Sequence, residues 1–345
     1  MQSNDERFIK RTFDLAIRGL GKVRPNPLVG CVIVKDGTII GEGWHQAFGG
    51  PHAEVNAVNS VKNKELLIGS TVYVNLEPCS FHGKTPPCAH MLADLEIGRV
   101  VISNIDPNPK VNGRGIELLK QKGMKVTTDA LKNDGWVLNK RFFTYHERKR
   151  PYIILKWAQT ADGFIARENY DSKWISNDFS RKLVHKWRGE EHAILIGRNT
   201  AHHDNPSLTT RDWHGNNPVR IVIDSQLKLD PHLALFDRST PTICYNKIKS
   251  EVHENLSFIA LGEGEFPILV LEDLYQRNIQ SILVEGGSLI LQSFINHGAW
   301  DEARVFTSEK IFGKGIKAPS IMGVLADSKI YRNDKLTIYT PFSNG

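Results

Sequence analysis

The sequence predicts two α/β domains in tandem: an α/β/α layered domain over residues 1–146 and a second α/β domain over residues 147–345. Three observations predict this. A chain of 345 residues is longer than one hydrophobic core usually serves. Apolar runs of strand length alternate with apolar residues at helical spacing along both halves, the pattern of helices laid on the faces of a sheet. Between the halves, Arg141 and the run His146-Glu147-Arg148-Lys149-Arg150 read as a solvated connector.

In the first half, residues 5–20 carry Phe8, Ile9, Phe13, Ala16, Ile17 and Leu20 at helical spacing, ended by Gly19 and Gly21. Pro25-Asn26-Pro27 makes a stiff loop before the apolar run 28–34. Lys35-Asp36-Gly37-Thr38 then turns the chain back through Ile39 and Ile40, which predicts a hairpin. The Gly-rich segment 41–45 delivers His45, and Pro51 suits the first turn of a helix carrying Glu54, Val55, Ala57, Val58 and Val61. Strands are expected at 71–76, 99–103 and 125–127, helices at 89–95 and 116–121, and a Pro- and Gly-rich loop at 106–115.

In the second half, PYIILKW at 151–157 reads as a strand and Asp162-Gly163 as a tight turn. A helix is expected at 176–188, then strands at 192–196, 219–224, 242–245, 268–271 and 281–284, a helix at 288–297, and closing strands at 303–307 and 335–339. Gly286-Gly287, between strand and helix, would let backbone approach a phosphate at a helix N-terminus. A plain tight turn explains the pair equally well, and no G-x-G-x-x-G is present.

With 40% hydrophobic and 24% charged residues the chain has the balance of a soluble globular protein, and no stretch reaches the roughly 18–20 continuous apolar residues of a membrane span. The N-terminal residues mix acids and bases without an apolar core, and the four cysteines fit a reducing compartment, so a cytoplasmic location is expected. A net charge of +6 suits a phosphorylated substrate or a dinucleotide cofactor. The basic residues are dispersed, so neither nucleic acid nor a membrane is an expected partner. A homo-oligomer is left open.

The chemistry concentrates between Gly49 and Cys88. His52, and Glu54 two residues later, precede Cys79 and Cys88. A hydrolytic zinc takes three protein ligands and leaves its fourth position for water. His52, Cys79 and Cys88 supply such a set, and Glu54, at the start of a helix, can lean over the open position and move protons. Two structural thiols, or half of a four-ligand zinc knuckle, are the plainer readings. Against the knuckle, the remaining cysteines, Cys31 and Cys244, lie far away in strand-like apolar runs.

His-Ala-Glu with Pro-Cys and a further Cys resembles the cytidine and nucleotide deaminase superfamily, whose common form has two residues between the cysteines. Here eight separate them. That insert, in PCSFHGKTPPC, together with NPLVG at 26–30 and DPNPKVNGRG at 106–115, resembles the deaminase half of the bifunctional riboflavin-biosynthesis deaminase/reductases. KWAQTADGFIA (156–166), DSKWIS (171–176), GRNTAHHDNPSLTTR (197–211) and VEGGSLI (284–290) look like the reductase half, in the same order. Thr160-Ala161 and Asn177 are small departures from that family's usual residues.

The resemblance implies a cytidine-deaminase-like first domain holding one Zn2+ and a dihydrofolate-reductase-like second domain using NADPH. It implies hydrolytic deamination of 2,5-diamino-6-(5-phosphoribosylamino)pyrimidin-4-one, then reduction of the ribosyl group to ribityl. It places Asn26, His45, Lys84, Thr85 and Asn108 around the first substrate, where loop or turn roles are the alternative. It places Ala158, Trp174, Thr200, Asp204, Ser225 and the turn at Gly287 at NADPH, and Ser172, Arg188, Leu208, Arg211 and Glu285 at the second substrate. Arg188 and Arg211 suit a ribose phosphate, and surface salt bridges are their bland reading. Lys156 and Asp204 are the groups to watch for proton handling, and Trp174 could equally be core. Two other functions compete: a tRNA or free-base deaminase with an appended domain, against which the long Cys–Cys insert argues, and a binding protein without turnover, against which the complete His-Glu-Cys-Cys set argues.

Overall fold

The structure is a computed structural model that describes residues 4–81 and 87–342. The chain forms two compact units, up to Arg148 and from Lys149 onward.

The first unit contains α1 (Asn4–Ala16), β1 (Gly30–Lys35), β2 (Thr38–Trp44), α2 (Ala53–Ser60), β3 (Thr71–Leu76), α3 (Cys88–Asp94), β4 (Arg99–Asn104), α4 (Arg114–Gln121), β5 (Lys125–Thr127), α5 (Lys132–Leu138) and α6 (Lys140–Arg148). Its sheet runs β2-β1-β3-β4-β5, with β1 antiparallel to both neighbours and β3, β4 and β5 parallel. Alternation along β1 sorts the two faces. Cys31 and Ile33 pack with Ala57, Leu92 and Leu119 of α2, α3 and α4, while Val32 and Val34 pack with Phe8, Ile9 and Leu15 of α1.

The first helix stops at Ala16 and tightens into a single 3-10 turn over Ile17–Gly19, short of the expected Leu20. Leu28, just ahead of β1, has no strand partner of its own. The Asn139 side chain substitutes for one, its Oδ1 accepting the Leu28 N–H at 2.8 Å and its Nδ2 donating to the Leu28 carbonyl at 2.9 Å. Asn75 donates to the same carbonyl at 2.8 Å and accepts from Gly30 N–H at 2.7 Å. Both asparagines are buried, so these bonds hold the Asn26–Gly30 segment where water could not.

The second unit contains β6 (Tyr152–Gln159), β7 (Phe164–Ala166), α7 (Asp178–Glu190), β8 (Ala193–Gly197), α8 (Arg198–Asp204), β9 (Val219–Ile223), β10 (Thr242–Asn246), β11 (Glu251–His253), β12 (Leu256–Ala260), α9 (Phe266–Gln276), β13 (Ser281–Gly286), α10 (Ser288–Asn296), β14 (Glu302–Ser308), β15 (Ile316–Lys317), β16 (Val324–Tyr331) and β17 (Asp334–Thr340). Ten strands form one sheet ordered β11-β12-β10-β9-β8-β13-β6-β14-β17-β16, parallel from β12 to β14 and antiparallel at both edges. The central strands are apolar on both faces, as a sheet covered on both sides requires.

One expectation fails. The run at 268–271 is helical, inside α9. Pro267 occupies its first turn, and Val270, Leu271 and Leu274 share its buried face. The charged run His146–Arg150 spans the point where the units divide, at Arg148/Lys149, and its first three residues form the last turn of α6, whose other side is buried by Phe142, Phe143 and Tyr145. α5 and several short edge strands were not expected at all. No helix among the described residues is long and apolar enough to cross a membrane.

Candidate active sites

In the first unit, three separated elements deliver one cluster. His52 caps the N-terminus of α2, Cys88 is the first residue of α3, and Cys79 lies in the loop leaving β3. His52 Nδ1 is 3.5 Å from Cys79 Sγ and 3.3 Å from Cys88 Sγ, and the Cys88 N–H donates to Cys79 Sγ at 3.3 Å. All three ligand atoms fall within 4.8 Å of one another. Zinc with bonds of about 2.0 Å to nitrogen and 2.3 Å to sulfur at tetrahedral angles would separate N from S by roughly 3.5 Å. The donor set and its spacing therefore fit zinc.

Electrostatics agree with that use. Hydrogen bonding from Cys88, then from His52, brings the Cys79 thiol down to about 4 despite its burial, while the Cys79 neighbour and burial push Cys88 up. Glu54, 3% exposed, is pushed up to about 7 by burial first and Cys79 second. A carboxyl poised there both takes and returns protons near neutral pH. The His45 ring stands edge-on to His52 at 5.7 Å. Its Nδ1–H donates to the Pro51 carbonyl at 3.0 Å, and its Nε2 accepts from the Asn26 amide at 3.0 Å. Burial lowers its pKa, consistent with a neutral ring held in one tautomer. Asn108 sits half-buried in the loop after β4, its N–H bonded to Asp106 Oδ1 at 2.8 Å. Lys84 and Thr85 lie outside the described residues.

In the second unit, a cavity of about 930 Å3 opens beside the carboxyl ends of the parallel strands and is lined by all eleven residues named from the reductase resemblance. Ala158 comes from β6, Thr200 and Asp204 from α8, and Ser225 from the turn after β9. Gly287 leads into α10 beside Thr200, and Gly286 has φ +110, a conformation glycine tolerates. The Ser172 hydroxyl donates to the Asp204 carboxylate at 3.2 Å. Trp174 is 60% exposed with the Arg181 guanidinium over its ring, so it is not core. Leu208 is buried.

Arg188 is neither on the surface nor open. Its Nε and Nη2 grip the two oxygens of Glu285 at 2.9 Å each, and Lys156 Nζ lies 3.7 Å from the same carboxylate. Burial would raise Glu285, but the Arg188 and Lys156 charges overcome it and hold the carboxyl at about 2. Burial in turn lowers Lys156. Arg211, 60% exposed, bonds weakly to Ser207 Oγ at 3.3 Å and keeps its guanidinium turned to solvent. Arg188→Ala is expected to strand a charged Glu285 and lower the stability of this unit by about 3–5 kcal/mol. Urea unfolding followed by tryptophan fluorescence checks it.

Sequence reasoning missed several residues beside these. His185, on α7, lines the cavity with Nδ1 against the Thr209 carbonyl at 2.9 Å and Nε2 3.2 Å from Asp212. Tyr170 and His203 stack at 4.2 Å on the cavity wall. In the first unit, Glu77 and Asp106 are buried next to the cluster. A lone His on an apolar helix face carries no local signal of such a place.

Comparison with known proteins matches these two geometries to two family models. Residues 2–104 match the cytidine and deoxycytidylate deaminase zinc-binding region, and residues 151–339 match the RibD C-terminal domain. The riboflavin biosynthesis protein RibD of Aquifex aeolicus is 39% identical over 90% of this chain and 89% of its own length, and that of Actinobacillus pleuropneumoniae 41% over 91% and 86%. The crystal structure of a diaminohydroxyphosphoribosylaminopyrimidine deaminase/5-amino-6-(5-phosphoribosylamino)uracil reductase from Thermotoga maritima superposes with a TM-score of 0.90 at 39% identity, covering 98% of this chain and 99% of that one. With a His-Cys-Cys ligand set in one unit, a large cavity in the other and matches along nearly its whole length, the chain belongs to the RibD family.

Proposed function

We propose that the chain is a bifunctional enzyme of riboflavin biosynthesis. Its first unit hydrolyses the 2-amino group of 2,5-diamino-6-(5-phosphoribosylamino)pyrimidin-4-one, releasing ammonia. Its second reduces the ribosyl group of the uracil product to ribityl with NADPH. The observation that carries this reading is the meeting of His52, Cys79 and Cys88 with a buried Glu54 beside them.

His52, Cys79 and Cys88 hold zinc in this reading. Zinc, when bound, lowers the pKa of a coordinated water to roughly 7. Glu54 takes the proton that water sheds and returns protons to the ring nitrogen and the departing amine. His45, fixed by Asn26 and Pro51, packs the wall beside His52, and Asn26 and Asn108 present amide groups to the pyrimidine. Lys84 and Thr85 act on the same substrate in this proposal.

In the second unit NADPH, when bound, would supply the hydride that reduces the opened sugar carbon. Ala158, Trp174, Thr200, Asp204, Ser225 and Gly287 hold the dinucleotide, with the start of α10 facing its phosphates. Ser172, Leu208 and the Arg188–Glu285 pair position the ribosyl chain, and Lys156 or Asp204 provides the proton. Arg211 neutralises the substrate phosphate, since its guanidinium is the more open of the two.

Arg211→Ala is expected to raise KM for the phosphorylated substrate about tenfold or more and leave KM for NADPH nearly unchanged. Equal effects on both would remove Arg211 from the phosphate. The reading as a whole is tested by incubating the protein with the diaminopyrimidine phosphate, with and without NADPH. Ammonia release in both mixtures, and loss of cofactor absorbance only after it, are expected; NADPH oxidation without ammonia release would overturn the order.

A further inference from the structure

Glu77 directly follows β3 and is buried, and its carboxylate is occupied entirely by backbone. Oε2 accepts N–H groups from Asp106 at 3.2 Å and Gly113 at 2.9 Å, and Oε1 accepts from Gly115 at 2.9 Å and Ile116 at 3.3 Å. These four donors bracket the loop that carries Asn108, from its start to the first turn of α4. β3 and β4 are parallel neighbours, with Leu76 opposite Asn104, so Glu77 stands at the carboxyl end of one strand and ties down the loop leaving the next. In open α/β sheets that is where ligands bind. Gly115 completes the seat: a Cβ there would lie 2.1 Å from the Pro78 carbonyl oxygen, so the start of α4 rests directly on the peptide leading into Cys79. Within the loop, Asp106 passes the constraint on by accepting the Asn108 N–H.

We propose that Glu77 is a positioning residue for deamination. It seats the 106–115 loop, and with it Asn108, against the peptide that introduces Cys79, and so sets how tightly the pyrimidine is held without touching substrate or zinc. A carboxylate suits the task because it accepts from four N–H groups at once. The inference rests on the reading of the first unit as the deaminase with Asn108 on its substrate.

The test compares Glu77→Gln, Asn108→Ala and the double variant in the full chain, reading zinc per chain, KM and kcat for ammonia release, and NADPH oxidation on the deaminated substrate. Glu77→Gln keeps size but turns an amide toward N–H donors. It is expected to raise the deamination KM about tenfold, with kcat within about twofold, zinc retained and reductase kinetics unchanged. The KM effects of the two single changes should not add in the double variant. A fall in kcat at unchanged KM, loss of zinc, or full additivity would overturn the proposal. So would a raised KM in Asn108→Ala but not in Glu77→Gln, which leaves the reading of Asn108 standing. A raised KM in Glu77→Gln with Asn108→Ala silent would overturn it as well, since the effect of Glu77 would then not run through Asn108. If Glu77→Gln does not fold, amide exchange in the unaltered protein decides: strong protection at Gly113, Gly115 and Ile116 is expected, and exchange at open-loop rates would end the idea.

Discussion

Glu54→Gln is expected to abolish measurable ammonia release, a loss of about 10³-fold or more, while zinc stays at one per chain. The glutamine fills the same volume in a site that is 3% exposed, so the fold is preserved, but it cannot accept and return a proton. Reductase turnover on the pre-deaminated substrate should be unaffected, since Glu54 belongs to the first compact unit. Zinc analysis beside an ammonia assay separates the outcomes. Retained release would remove Glu54 from the mechanism.

The second large effect is expected from Cys79→Ser. Cys79 is the thiol whose pKa the Cys88 and His52 hydrogen bonds lower, which favours the thiolate that zinc takes. A serine hydroxyl supplies neither the charge nor the soft sulfur that zinc selects. Zinc content should fall at least 100-fold at equal free metal, and the first unit should lose several kcal/mol of stability because metal binding and folding are linked. NADPH binding should persist. A matched fall in NADPH affinity would argue against two separate sites.

The zinc cluster was legible because its members lie at short fixed distances from elements that the hydrophobic pattern already marks. His52 precedes a helix, Cys79 follows a strand, and Cys88 opens a helix. The reductase cavity was legible only by resemblance. Its walls come from elements spread from Lys156 to Ile316, and no local spacing links Arg188 to Glu285 across 97 positions. That pairing also changes the sense of Arg188, which suits a phosphate when taken alone. The failure at 268–271 has a local origin. A short apolar run fits a buried strand or a helix face, and Leu274, one turn further on, decides it. α5 escaped notice because Gly135 is its only buried residue, so it has no apolar stripe to display. Glu77 gave no signal either, since its partners are backbone groups 29 to 39 residues away.

The asparagine that stands in for a missing strand beside Leu28 also bears on where the deaminase unit can be cut. Asn139 lies 35 residues beyond the end of the matched zinc-binding region at 104. A fragment trimmed to that limit would keep every metal ligand yet leave the Leu28 amide without its acceptor, next to the turn that carries Asn26. A self-sufficient deaminase piece must therefore run past residue 139, since a cut at 104 also removes α4, whose Ile116 and Leu119 pack in the same core as the helices that carry His52 and Cys88.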